Sequence, residues 1–215
     1  MSKFTRDNSA VVLIDHQVGL LTGVRDMTIK DLEHNVVHLA RAAKALGVPL
    51  VVTNAATDFW GPTIPALVDL LDGEEILTRT IINSWDDPRF VERIEAIGRK
   101  NLVIAGVSLP VCAALPAMSA IEAGYESYVV VDASASFTEA GRDAAMFRLS
   151  QAGVKLEDYA SLMCELLADN ADPLAPSVYE AIDMPFVALM GQLAEDWRAQ
   201  SRGRSARQIK QVSTV

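Results

Sequence analysis

Six apolar runs, each followed by a stretch with helical spacing, set the rhythm of the chain. Residues 10–14 (AVVLI), 49–53 (PLVVT), 75–78 (EILT), 102–107 (LVIAGV), 127–131 (SYVVV) and 154–159 (VKLEDY) are the runs. Most lack the polar alternation of a half-exposed strand, so they read as strands covered on both faces. Between them the spacing changes to that of helices. Residues 29–46 carry Leu32, Val36, Leu39, Ala43 and Leu46 on one stripe and stop at Gly47-Val48-Pro49. Residues 65–71 form a short helix closed by Gly73, and Asp87-Pro88 opens a helix with Phe90, Ile94 and Ile97 inward and Gly98 at its end. Residues 110–123 and 138–152 are helical, with Gly124 and Gly153 as stops. Strand and helix alternating six times predict an α/β protein. The expected architecture is three-layer α/β/α, a six-stranded parallel sheet, doubly wound.

Beyond Leu167 the rhythm changes, which divides the chain into a domain over residues 1–167 and a C-terminal helical extension over 168–215. Residues 174–182 and 184–199 read as extra helices, the second with a stripe of Phe186, Leu189, Leu193 and Trp197. The core already has its helices, so these two are expected to cover a groove or meet another subunit. Arg198, Arg202, Arg204, Arg207 and Lys210 make a basic tail suited to clasping a neighbouring subunit.

Composition narrows the partners. A chain of 215 residues, 50% hydrophobic, can bury one sizeable core. A net charge of −9 argues against a nucleic-acid partner. No apolar run is long enough for a membrane span, and the N-terminus lacks the apolar centre of a signal peptide. The two cysteines, Cys112 and Cys164, sit in apolar helical contexts and suit a reducing cytoplasm.

The chemistry gathers at strand ends. Pro110 fits the first helical position and pushes Leu109 into an extended conformation, which puts Cys112 in the first turn of a helix just past a central strand. Free N–H groups and the helix dipole favour a thiolate there. Cys112 is thus a candidate nucleophile, with a small buried filler as the plain alternative; Cys164 is taken as structural. Asp15 follows the first strand and Arg79 the third, so topology permits the three to meet above the sheet. A carboxylate would take the thiol proton, a guanidinium would tune both, and the N–H groups of Ser108 and Cys112 would hold an oxyanion. Asn54, Phe59, Trp60, Asn83 and Trp85 lie in loops over the strand ends and are candidate pocket residues. His34 and His38 have the four-residue spacing of metal ligands, but without a third ligand they read as part of a solvated face.

Three motifs in this order resemble the isochorismatase-like cysteine hydrolases, a family that includes nicotinamidase and N-carbamoylsarcosine amidohydrolase. They are the apolar strand ending in Asp15 with Gln17 two residues on, Arg79-x-x-x-Asn83-Ser84-Trp85, and Gly106-Val107-Ser108-Leu109-Pro110-Val111-Cys112. The resemblance spans about residues 10–167. It implies Asp15 as general base, Arg79 as the cation of a triad, Cys112 as nucleophile, a cis Val107–Ser108 peptide, and Gln17 among the residues near substrate. Arg79 stands where the family has Lys and stays charged without shuttling a proton. Leu109 and Pro110 replace a polar pair. The Asp/His/His cluster with which nicotinamidases hold zinc is missing after the second strand, so no metal and no cofactor are expected. Cys112 favours the amidase side of the family over the vinyl-ether chemistry of isochorismatase itself. The chain looks nearest to the metal-free YcaC-like branch, which assembles as octamers and acts on small molecules of uncertain identity. The expected reaction is cleavage of a small amide-type C–N bond through a thioester. An inactive oligomeric scaffold of the same fold is the alternative. A nucleotide-binding module ranks lower, because no Gly-x-Gly-x-x-Gly or Gly-x-x-x-x-Gly-Lys loop follows any strand.

Overall fold

The computed structural model describes residues 3–200 except 72, 74, 185, 188, 196 and 199. Arg202, Arg204, Arg207 and Lys210 of the expected basic clasp lie outside the described residues. The chain forms two compact units, one ending at Ile182 and one beginning at Asp183. The strands of the first unit are β1 (Ser9–Ile14), β2 (Leu50–Ala55), β3 (Leu77–Arg79), β4 (Asn101–Gly106), β5 (Glu126–Val130) and β6 (Lys155–Glu157). They form one sheet in the order β3-β2-β1-β4-β5-β6, every neighbouring pair parallel. All six residues of β1 and of β4 are buried, as expected for central strands of a sheet covered on both faces. The order reverses direction between β1 and β4, and in open α/β sheets the carboxyl ends at such a switch point frame a crevice.

The helices of the first unit are α1 (Val18–Leu21), α2 (Ile29–Ala45), α3 (Thr57–Trp60), α4 (Pro65–Val68), α5 (Pro88–Ile97), α6 (Ala114–Glu122), α7 (Glu139–Gln151), α8 (Tyr159–Leu167) and α9 (Ala175–Ile182), among the described residues. Leu32, Val36, Leu39 and Ala43 of α2 are fully buried. Burying a Leu or Val side chain contributes about 1.5–3 kcal/mol, whereas the Thr28 cap on Asp31 N–H adds about 1 kcal/mol. Packing, not capping, holds this helix. Ala113, Ala114, Ala117 and Ala120 are small enough to bring α6 close over β4, in a cluster with Ile14, Leu102 and Ile104.

Some expectations shift. β3 starts at Leu77, two residues late, and Arg79 becomes its last residue instead of following it. The helix expected over residues 65–71 ends at Val68. His38 is buried, not solvated: its Nδ1 lies 2.7 Å from the Ala181 carbonyl of α9, and its ring stacks 4.2 Å from that of His34. Helix α9 covers a face of α2 that the stripe alone leaves open. In the second unit the described residues from 186 to 198 are helical, within the expected 184–199.

Candidate active site

Backbone hydrogen bonds across the switch point build the site. Asp15 leaves β1 in a left-handed conformation with φ 61°, and its N–H donates to the Thr53 carbonyl within β2 (3.0 Å). Asp is one of the few side chains that adopt this region readily. On the other flank, Val107 N–H donates to the Ile14 carbonyl at 3.1 Å, and the Val107–Ser108 peptide is cis. Ser108 is extended, and a π-helical turn over Leu109–Ala113 leads into α6. The expected extended residue was Leu109, and the turn begins one residue earlier than Pro110. A Cβ on Gly106 would stand 3.0 Å from both the Ala113 nitrogen and the Ile14 carbonyl oxygen, so glycine lets the turn with Cys112 fold back onto the strand end without displacing backbone.

Asp15, Arg79 and Cys112 come together here. Arg79 Nη2 donates to Asp15 Oδ2, and the two side chains are 0% and 2% exposed. Arg79 Nη1 donates to the carbonyls of Ile81 and Ile82, the latter at 3.0 Å. Thr53 Oγ1 donates to Asp15 Oδ1 at 3.3 Å, and the Cys112 thiol lies close to the same carboxylate. Burial pushes the Asp15 carboxyl up, with the Arg79 charge pulling the other way. Burial, followed by the negative charge of Asp15, pushes the Cys112 thiol well above its ordinary range. This reverses the expectation of a thiolate favoured by the helix dipole: a half-charge at a helix end is outweighed by desolvation and a full charge in contact. The Cys112 sulfur therefore rests as a thiol.

The oxyanion donors differ from expectation in one respect. The Cys112 N–H is turned to the Ser108 carbonyl at 2.7 Å, because that carbonyl anchors the turn. It therefore offers an oxyanion a share of a three-centre bond, not a free donor. The backbone around it is braced by the segment after β5. Ser134 Oγ accepts from Gly106 N–H (3.0 Å), the Ala135 carbonyl accepts from Leu109 N–H (2.7 Å), and the Ala133 carbonyl accepts from His16 Nε2 (2.9 Å). Burial holds the His16 pKa down to about 4, so its ring is neutral.

A cavity of about 320 Å³ opens on Asp15, Arg79, Ser108 and Cys112. Of the six residues expected at the substrate, Trp60 lines it. Gln17, Asn54, Phe59, Asn83 and Trp85 do not, for reasons their contacts make plain. Gln17 is fully buried and clasps the Ala55 N–H and the carbonyls of Ala55 and Gly61. Asn54 donates to Thr63 Oγ1 at 3.4 Å, and Asn83 accepts from Trp85 N–H while donating to Ser119 Oγ. Trp85 packs edge-on against Phe90 and Tyr125, and Phe59 is 77% exposed, edge-on to Trp60. The walls instead include Leu20, Ile82, Val111 and Phe137, which sequence reasoning missed. Only Val111, next to the cysteine, carried a usable signal. Thr53 was also missed, although a buried threonine closing an apolar strand beside Asp15 marks a polar contact.

Residues 9–161 match the isochorismatase domain family. The chain is 41% identical over 169 residues to the probable hydrolase YcaC of Escherichia coli, covering 78% of this chain and 81% of the relative. A crystal structure of E. coli YcaC, described as an octameric hydrolase of unknown specificity, superposes with a TM-score of 0.84 at 36% identity, covering 91% of this chain and 98% of that one. A structure of YcaC from Pseudomonas aeruginosa with hexane-2,5-diol and covalent acrylamide superposes with a TM-score of 0.83 at 34% identity, covering 90% and 98%. With a parallel sheet in this order and a domain match over most of its length, the chain belongs to the isochorismatase family.

Proposed function

We propose that the protein is a cysteine hydrolase that cleaves a small amide-type C–N bond through a thioester acyl-enzyme. The observation that carries this reading is the contact of one buried carboxylate, Asp15, with both Arg79 and the Cys112 thiol at the wall of a cavity. As the sulfur adds to the substrate carbonyl, Asp15 takes its proton, so no free thiolate has to be stabilised beforehand. The oxyanion is held by the Ser108 N–H and a share of the Cys112 N–H. Asp15 then returns the proton to the leaving amine, and the same carboxylate activates the water that hydrolyses the thioester. Arg79 does no proton transfer; its charge keeps a buried Asp15 able to ionise.

The covalent acrylamide in the P. aeruginosa relative is a small electrophile bonded to a protein of the same fold, which supports a reactive nucleophile here. The octameric E. coli relative supports a homo-oligomer, which we take to be an octamer. Both cysteines are free, as suits a reducing cytoplasm. The test is a screen of amides, ureides and carbamates against the wild type and Cys112→Ala, measuring released amine. Turnover lost in the variant supports the reading; turnover that survives it ends it.

A further inference from the structure

We propose, on the cysteine-hydrolase reading, that the cavity admits uncharged amides with a small apolar acyl group and excludes anionic ones. Leu20, Trp60, Ile82, Val111 and Phe137 form its walls. Among the described residues lining it, Arg79 is the one cation, and its charge is already used. Nη2 is on Asp15, Nη1 is on two backbone carbonyls, and Nε, which has no hydrogen-bond partner, is buried. A carboxylate entering this space would give up its hydration, find the one cation already paired with Asp15 and meet the negative charge of that carboxylate. A neutral amide meets apolar walls and gives up far less. At about 320 Å³ the space lies at the small end of ligand cavities.

The same feature works on the product. Amide plus water gives carboxylic acid plus amine, and at neutral pH the acid releases its proton and becomes an anion. The site that draws in the neutral substrate then repels what it has made, so release of the acid is favourable. Product inhibition by the carboxylate is weak for this reason.

The charge selection is measured without turnover, by alkylating Cys112 with iodoacetamide and with iodoacetate. In both reactions a C–S bond forms, iodide leaves and the thiol proton passes to Asp15 or solvent; only the charge of the reagent differs. Rates at Cys112 are read by peptide mass spectrometry and divided by those of free N-acetylcysteine. The preference for iodoacetamide is expected to exceed that of the free thiol by about tenfold or more. Ile82→Lys, which sets a cation at the mouth of the cavity, is expected to narrow it. Equal normalised rates, a preference unmoved by Ile82→Lys, or a Cys112 that neither reagent reaches would each overturn the proposal. Charge selection that fails beside amide turnover that still depends on Cys112 removes the substrate class and leaves the reaction standing. Turnover that persists in Cys112→Ala removes the reaction instead.

Discussion

Asp15 and Arg79 form a buried ion pair across the width of β2, one carried just past the end of β1 and the other on the last residue of β3. Neither can be removed alone at low cost, because the partner would remain charged and out of water. Arg79→Ala is expected to lose about 3–5 kcal/mol of stability, read as a fall in denaturation midpoint. Arg79→Lys keeps the charge but cannot reach Asp15 and the Ile81 and Ile82 carbonyls together. It should recover part of the stability and little of the activity. Equal stability of Arg79→Ala and wild type would show that the pair contributes nothing net.

The shared environment of Asp15 and Cys112 sets the pH dependence. Burial raises the Asp15 carboxyl, so the base is lost as pH falls through a value above the ordinary carboxylate range of about 4. The thiol is raised as well, so no gain from thiolate formation is expected near its ordinary value of about 8.5. A profile of kcat/KM should therefore show an acid limb above about 4 and a plateau through the thiol range. Asp15→Asn, which tolerates the left-handed backbone but leaves Arg79 without its partner charge, should lose stability and cut kcat per folded molecule by about 100-fold to 10,000-fold. A profile rising through the ordinary thiol range would mean that a preformed thiolate attacks.

Gly106→Ala tests the close approach beneath the nucleophile. Its Cβ would press on the Ala113 nitrogen and the Ile14 carbonyl, both backbone atoms with no rotamer to yield. The expected cost is about 1–3 kcal/mol. The turn carrying Cys112 is what must shift, so activity should fall further than the loss of folded protein explains. Parallel thermal melts and activity per folded molecule separate the two.

Asp132, just after β5, offers a stability test away from the site. Its Oδ1 accepts from Tyr159 N–H at 2.9 Å, and burial raises its pKa to about 6. A carboxyl raised in the folded state binds its proton more tightly there than when unfolded. Its contribution is therefore present at low pH and is lost between about pH 4 and 6. Asp132→Asn keeps an acceptor for Tyr159 and removes the charge. It should gain about 1 kcal/mol over wild type at pH 7.5, allowing for partial contact with solvent, and nothing at pH 4. A gain that is the same at both pH values would contradict this account.

The strands and the meeting of Asp15, Arg79 and Cys112 near their ends were legible because continuous apolar runs have few other readings, and each of the three stands at or soon after the end of such a run. The cavity walls were not. Gln17, Asn54 and Asn83 are polar residues at or near strand ends of the kind that meet substrates, yet their side chains hydrogen-bond to neighbouring segments of the chain. Phe137 and Leu20 reach the cavity through chain crossings that no local pattern records. His38 shows the same limit on a helix: its position off the apolar stripe was read correctly, but α9, which buries it, comes from far along the chain. The protonation of Cys112 depends on burial and on a carboxylate nearly a hundred residues away, while only the helix end was visible locally.

The brace formed by residues 133–136 has a consequence for how this protein can diversify. Those residues hold His16, Gly106 and Leu109 through backbone and hydroxyl contacts, and Ser136 N–H is pinned to Asp26 Oδ1 at 2.8 Å. Phe137 follows directly and walls the cavity. Insertions or deletions in this segment would pull on the turn that carries Cys112 and be purged. Exchange of the side chain at position 137 would not, and descendants with new tastes are expected to differ there by residue type and not by loop length.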